Sequence, residues 1–277
     1  DFKNTSGLFC RFGTLEPIKG TFVSKTLIQC LSPSNGAGIV SVEVTTNGAD
    51  YSEDMVQYRY FASPAISHVI PSSGPTEGGT VVSVYGRNFV DSDTLYCRFG
   101  NSTSVLGRWI SGDRIECTTP SMVAGDIVIS MTNNGVDYTT TNSTFMVLPE
   151  SEVSKVSPTF GPVGTSTAVT VQGTGFVFSR SLYCRFGLSA VAAMYVNETT
   201  VVCTAPDIPA GVVNVTVSSN GVDYSSSKAT YEYVAAHHIQ SILPRSGSVS
   251  GSTLVSITGT DFKNTSGLFC RFGTLEP

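Results

Sequence analysis

Seven cysteines, three histidines and a scatter of Asn-x-Ser/Thr triplets are the residues through which this 277-residue chain could do chemistry. The cysteines stand at 10 and 30, 97 and 117, 184 and 203, and 270, so the first of each pair recurs after 87, 87 and 86 residues. Pairing Cys10 with Cys30, Cys97 with Cys117 and Cys184 with Cys203 would join neighbouring strands and close loops of about 20 residues, worth on the order of 3 kcal/mol each in the chain-entropy model. Spacing leaves the connectivity open, and reduced cysteines packed as small apolar residues are the alternative. Cys270 opens a fourth pair whose partner lies outside the chain. Zinc fits poorly, because the pairs lack CxxC spacing and no histidine lies near them.

Catalysis fails the same inventory. His68, His237 and His238 all sit at or beside the ends of repeating units, so a Ser-His-Asp or Cys-His arrangement would have to be built at a linker. His237 and His238 are adjacent and on an extended segment point to opposite sides, which reads as solvated linker. The stretch GTGFVF (173–178) starts like a dinucleotide fingerprint but lacks its third glycine and its βαβ setting. Asp50, Asp137 and Asp223 recur after an Asn-Gly, but one carboxylate per unit cannot supply the six to eight oxygens of a calcium site, so each reads as a turn-stabilising Asp beside a packed Tyr. Trp109 is the only tryptophan and is expected in a core rather than as an exposed sugar platform. No catalytic residue, metal ligand or cofactor is assigned, and the chain is not expected to be an enzyme.

The asparagines point to modification. Sequons stand at Asn4, Asn101, Asn142, Asn197, Asn214 and Asn264, and Asn214 is usable only if its side chain leaves its strand toward solvent. Charged residues are 13% of the chain, whereas 69 residues are Ser or Thr, so hydroxyls supply the polarity. A net charge of −5 argues against nucleic acid as the partner. No apolar run is long enough to insert in a membrane, and the opening at Asp1 reads as an excerpt of a longer chain. Paired cysteines, sequons and low charge together predict an exported glycoprotein, extracellular or at the cell surface, with covalent glycans.

The elements that must position these residues repeat at two levels. LFCRFG (8–13), LYCRFG (95–100), LYCRFG (182–187) and LFCRFG (268–273) surround the first cysteines, and an Asn-Gly follows each second cysteine by 17 residues. Upstream stand PSSGPTEGGTVVSVYGRNF (71–89), PTFGPVGTSTAVTVQGTGF (158–176) and PRSGSVSGSTLVSITGTDF (244–262). Residues 1–17, DFKNTSGLFCRFGTLEP, return unchanged as 261–277, an offset of 260 that equals three short units. Short alternating runs between turn signals make each unit all-β. For 65–149 strands are expected near 66–70, 80–85, 94–99, 104–110, 114–118, 126–131 and 144–148, enough for a two-sheet sandwich. Val82 and Val84 would face its core, and Asn-Gly would close a tight last hairpin with two positive φ values.

These motifs, from Pro-x-x-Gly and V-x-V-x-G-x-x-F through C-R-F-G to Thr-x-Pro or Ser-Pro after the second cysteine (Pro33, Pro120, Pro206), resemble the IPT/TIG immunoglobulin-like domain across nearly the whole chain. The resemblance implies tandem immunoglobulin-like β-sandwich modules of about 87 residues, and by itself no activity. Such domains occur in plexin-type receptors, in surface proteins similar to fibrocystin, and in Rel-type transcription factors. On this reading 65–150 and 151–236 are complete modules, 1–64 is the C-terminal part of one, and 237–277 the N-terminal part of another.

Short links at 60–66, 147–153 and 234–239, stiffened by Pro64 and Pro149, would stack the modules into a rod. The expected function is a structural extracellular filament or cell-surface fibril of tandem 260-residue blocks, partnered by itself and its glycans. The alternative is the stalk of a receptor or adhesin that binds a protein or carbohydrate ligand.

Overall fold

The computed structural model describes residues 2–101, 103–141, 143–227, 229–264 and 267–274. Strands and turns account for all of their regular structure. Residues 65–150 form two facing sheets. One orders Arg108–Ser111, Arg114–Thr118, Val81–Arg87 and Ala65–Ile70; the other orders Thr103–Leu106, Tyr96–Phe99, Gly125–Thr132, Ser143–Leu148 and Ser73–Pro75, the last parallel to its neighbour.

Alternation along these strands builds the core. Val82 and Val84 are fully buried from one sheet, and Phe99, Ile129, Met131 and Phe145 meet them from the other. Residues 151–236 repeat the plan around Val169, Val171, Phe186, Val215 and Tyr231. Gly86 and Gly173 explain the V-x-V-x-G-x-x-F motif: a Cβ on either would strike the carbonyl of Ala65 or Glu152 and the ring of Phe89 or Phe176. The phenylalanine three residues on folds back over the space that glycine leaves.

Three expectations are corrected. The complete unit at 65–150 holds nine strands rather than seven, because Ser73–Pro75 was too short and too Pro/Gly-rich to signal itself, and the single strand expected over 104–110 divides at Gly107. Thr103–Leu106 pairs with one sheet and Arg108–Ser111 with the other; in the next unit Ser189–Asn197 makes the same crossing unbroken. The Asn-Gly loops are not tight hairpins: Gly125–Thr132 and Ser143–Leu148 are ten residues apart, and only the glycine, Gly135, takes a positive φ. Asn134 instead turns its side-chain oxygen onto the amides of Val136 and Asp137, which fixes a wider Asx-type turn. Trp109, expected in the core, lies 38% exposed on the sheet-edge strand Arg108–Ser111, its indole N–H donating to the Phe89 carbonyl.

The two ends of the chain are built differently. Residues 1–64 form one four-stranded sheet (Ile18–Lys19, Phe9–Phe12, Gly38–Thr45, Val56–Tyr60) and a separate pair, Thr21–Ser24 with Leu27–Gln29. Among the described residues of 237–274, His238–Leu243 pairs with Ser256–Thr260 and no other strand is formed.

Candidate functional site

Each cysteine pair is a disulfide: Cys10–Cys30, Cys97–Cys117 and Cys184–Cys203. They do not join neighbouring strands of one sheet. Tyr96–Phe99 and Arg114–Thr118 belong to opposite sheets, so Cys97–Cys117 staples the sandwich through its core, where both residues are buried. Cys270 is unpaired and exposed.

The CRFG and Asn-Gly-x-Asp-Tyr motifs meet on the outer face beside this staple. Arg11 lies over the ring of Tyr51 at 4.1 Å, Arg98 over Tyr138 at 3.8 Å and Arg185 over Tyr224 at 4.0 Å. The arginine stands one residue after the core cysteine, so strand alternation turns it outward, and the tyrosine that follows each turn covers it. Neither motif alone shows this coupling; its signal is their joint recurrence in every unit. The aspartate of each turn is held by its own asparagine: Asn47, Asn134 and Asn220 donate Nδ2 to Asp50, Asp137 and Asp223 at 2.8, 2.8 and 2.6 Å.

At the junction of the two complete units this turn reaches its neighbour. Asn220 Nδ2 donates to the Ser73 carbonyl at 2.8 Å, and Thr80 Oγ1 donates to Asp223 Oδ2 at 2.7 Å. Thr80 is fully buried and Asn220 is 9% exposed. The cleft beside the contact is lined by Gly74, Pro75 and Glu77 on one side and Asn220 and Asp223 on the other, with Pro149 between. At the opposite end of the 151–236 unit, beside Gly161, burial pushes the Tyr233 phenol up to about 12, with Tyr231 and Asp207 adding to the rise. Tyr231 is also raised by burial, partly offset by its hydrogen bond with Thr167.

The remaining candidates stay apart. His68 stacks on Tyr85 with ring centroids 4.7 Å apart, and His237 and His238 are exposed. Among the described residues no three His, Cys, Asp or Glu side chains are grouped to hold a metal. Asn4, Asn101, Asn197, Asn214 and Asn264 are all exposed, Asn214 from the solvent face of Gly211–Ser218; Asn142 lies outside the described residues.

Two facing sheets, antiparallel except for the short strands Ser73–Pro75 and Phe160–Pro162, stapled through the core and repeated along one chain, define tandem immunoglobulin-like modules. The family model described as the IPT/TIG domain matches residues 64–147, 151–233 and 238–276, and the chain belongs to that family. Fibrocystin-L of Mus musculus is 27% identical over 207 residues, covering 73% of this chain and 5% of the relative. Plexin-A3 of Rattus norvegicus is 25% identical over 214 residues, covering 71% and 11%. The chain therefore spans about a twentieth to a ninth of the length of these relatives. Among solved structures, one described as the Plexin A4 full extracellular region aligns over 93% of this chain and 28% of that one, with 16% identity and a TM-score of 0.43. Three disulfides of this kind persist only in an oxidising compartment, and the chain is extracellular.

Proposed function

We propose that the chain is a section of an extracellular stalk made of stacked IPT modules, in which 260-residue blocks continue head to tail. One observation carries this reading: the two ends expose matching pieces of a single sandwich. In complete units the strand pair Ala65–Ile70 and Val81–Arg87 buries Ile66, Val69, Val82, Val84 and Phe89. The equivalent face at the tail leaves Ile239 66% and Phe262 44% exposed. At the head, Thr21–Ser24 with Leu27–Gln29 has no further strand beside it, whereas its counterpart Arg114–Thr118 pairs with Val81–Arg87. Carrying over the registers Ile115↔Val84 and Val201↔Val171 sets Ile28 of one block opposite Ile257 of the block before it. The covalent array and strand exchange between separate chains use the same pairing.

What the array ends in separates two versions. The kinship with plexins and fibrocystin-L supports the stalk of a surface receptor or adhesin whose ligand-binding part lies elsewhere. The verbatim recurrence at 260 residues supports a free structural filament, in which uniform length is itself the product. In both the role is mechanical: core disulfides resist extension, and glycans on the exposed asparagines shield strand edges from lateral pairing. Negative-stain microscopy of the secreted chain tests the shared core of the proposal. Rods whose lengths step by roughly 110 Å, three modules of about seven-residue strands plus loops, are expected; compact solitary particles would refute it. Loss of mass on treatment with an N-glycosidase tests the sugars.

A further inference from the structure

The polar contact between the complete units involves a donor half and a receptor half that recur in every module, yet they meet only once in this chain. The donor half is the Asn-Gly turn, with asparagine bound to aspartate in all three copies. The receptor half is the glycine-rich first turn, where a threonine hydroxyl lies against a glycine that has no room for a side chain: Thr80 on Gly74, Thr167 on Gly161, Thr253 on Gly247. Asn220 and Asp223 occupy the receptor of Ser73 and Thr80, and both partners are withdrawn from solvent. Asn47 and Asp50 are exposed, and Thr167, half-buried, meets Thr165 Oγ1 at 3.2 Å.

We infer that every module junction is closed by this same clamp, and that the two sets that meet no neighbouring module here close against a second copy of the chain. Asn47 of one block donates to the Phe160 carbonyl of the block before it, and Thr167 of that earlier block donates to Asp50. Asn134 and Asp137 likewise take the Ser246 carbonyl and Thr253. The occupant is a second copy because the matching receptors lie at the opposite end of the same sequence. Half of such a junction is already seated: Lys263 of the tail pairs with Glu232 at 2.6 Å and lies 5.1 Å from the Phe160 ring centroid, at the very turn assigned to Asn47 and Asp50. The head carries the same lysine as Lys3, exposed. The other junction has different walls. The cleft around Asn134 and Asp137 is walled by Tyr58, Tyr60 and Pro64, with no glycine-rich turn among its lining residues, where Gly74, Pro75 and Glu77 form that wall at the closed junction.

This clamp rests on the head-to-tail reading, and one experiment separates their failures. Sedimentation velocity of the full chain, with Cys270 alkylated, is followed as concentration rises. The wild-type chain is expected to form reversible head-to-tail oligomers. Asp50→Ala and Thr167→Val should each weaken association roughly tenfold, as losing a hydrogen bond to a charged group does, and the combined variant should be little weaker than either alone. Thr167→Val reads the clamp without touching the Asn47 turn. Asp223→Ala, which opens only the internal junction, should leave association unchanged. Oligomers indifferent to both Asp50→Ala and Thr167→Val would overturn the clamp and leave the head-to-tail reading intact. A chain that stays monomeric throughout would overturn both.

Discussion

The same seventeen-residue sequence stands twice in this chain, at 1–17 and 261–277, and the described residues of the two copies adopt two structures. At the head, Leu8, Cys10 and Phe12 are 2, 3 and 6% exposed, and Phe9–Phe12 is a strand paired with Gly38–Thr45. At the tail, Leu268 and Phe272 are 57 and 56% exposed, Cys270 is an exposed free thiol, and 268–272 form no strand. Local sequence is identical, so propensity cannot be the cause. The difference lies in what is opposite: Gly38–Thr45 supplies the ladder, Cys30 the staple, and Tyr58, 5.2 Å from Phe12 between ring centroids, the apolar contact. A strand here is a property of its neighbours.

Substitutions made in parallel at the two copies break or sharpen that contrast. The largest expected effect is at the cysteines. Cys10→Ala should cost about 3 kcal/mol and abolish protection of Phe9–Phe12, whereas Cys270→Ala should fall within ~0.5 kcal/mol of wild type; denaturant unfolding with hydrogen exchange measures both. Phe12→Ala should likewise cost roughly 3 kcal/mol by emptying a packed site against Tyr58 and Tyr60, with Phe272→Ala near neutral in the same titration.

Alkaline unfolding probes the 151–236 unit through one buried phenol. The Tyr233 phenol is held at about 12 against an ordinary value of 10.0, so between those values the unfolded chain has lost a proton that the folded chain keeps. Stability from this group is full below pH 10 and drains away as pH rises toward 12. Thermal melts at stepped pH should show the 151–236 transition falling over that window, and Tyr233→Phe should flatten the fall. The smallest effect belongs to the stacked arginines: Arg11→Ala should cost about 1 kcal/mol by uncovering Tyr51, and Arg271→Ala nothing measurable.

Much of this is legible in the amino-acid sequence. Cysteine spacing, the alternating Val82/Val84 type and the CRFG motif carry their own physics, and the sandwich, the staples and the family follow from them. What escaped has a common physical origin in contacts between distant segments. Ser73–Pro75 is a strand only because Ser143–Leu148 lies beside it, Gly107 marks a change of sheet that periodicity cannot register, and the Asn-Gly turns widen because Asn134 and its equivalents bind backbone amides. The junction clamp was hidden more deeply. Asp223 reads as a local turn residue, and only the position of Thr80, 143 residues away, shows its second partner.

The central claim is that head and tail are halves of one sandwich, and cross-strand cysteine trapping tests it most directly. In a Cys270→Ser background, Gln29→Cys and Ser256→Cys stand opposite each other under the register that pairs Ile28 with Ile257. Mild oxidation should then give a nonreducing ladder of covalent multimers, while Gln29→Cys with Ile257→Cys, one residue out of register and on the opposite face, should give none. A chain that remains monomeric in the first case, or cross-links equally in the second, would contradict the account.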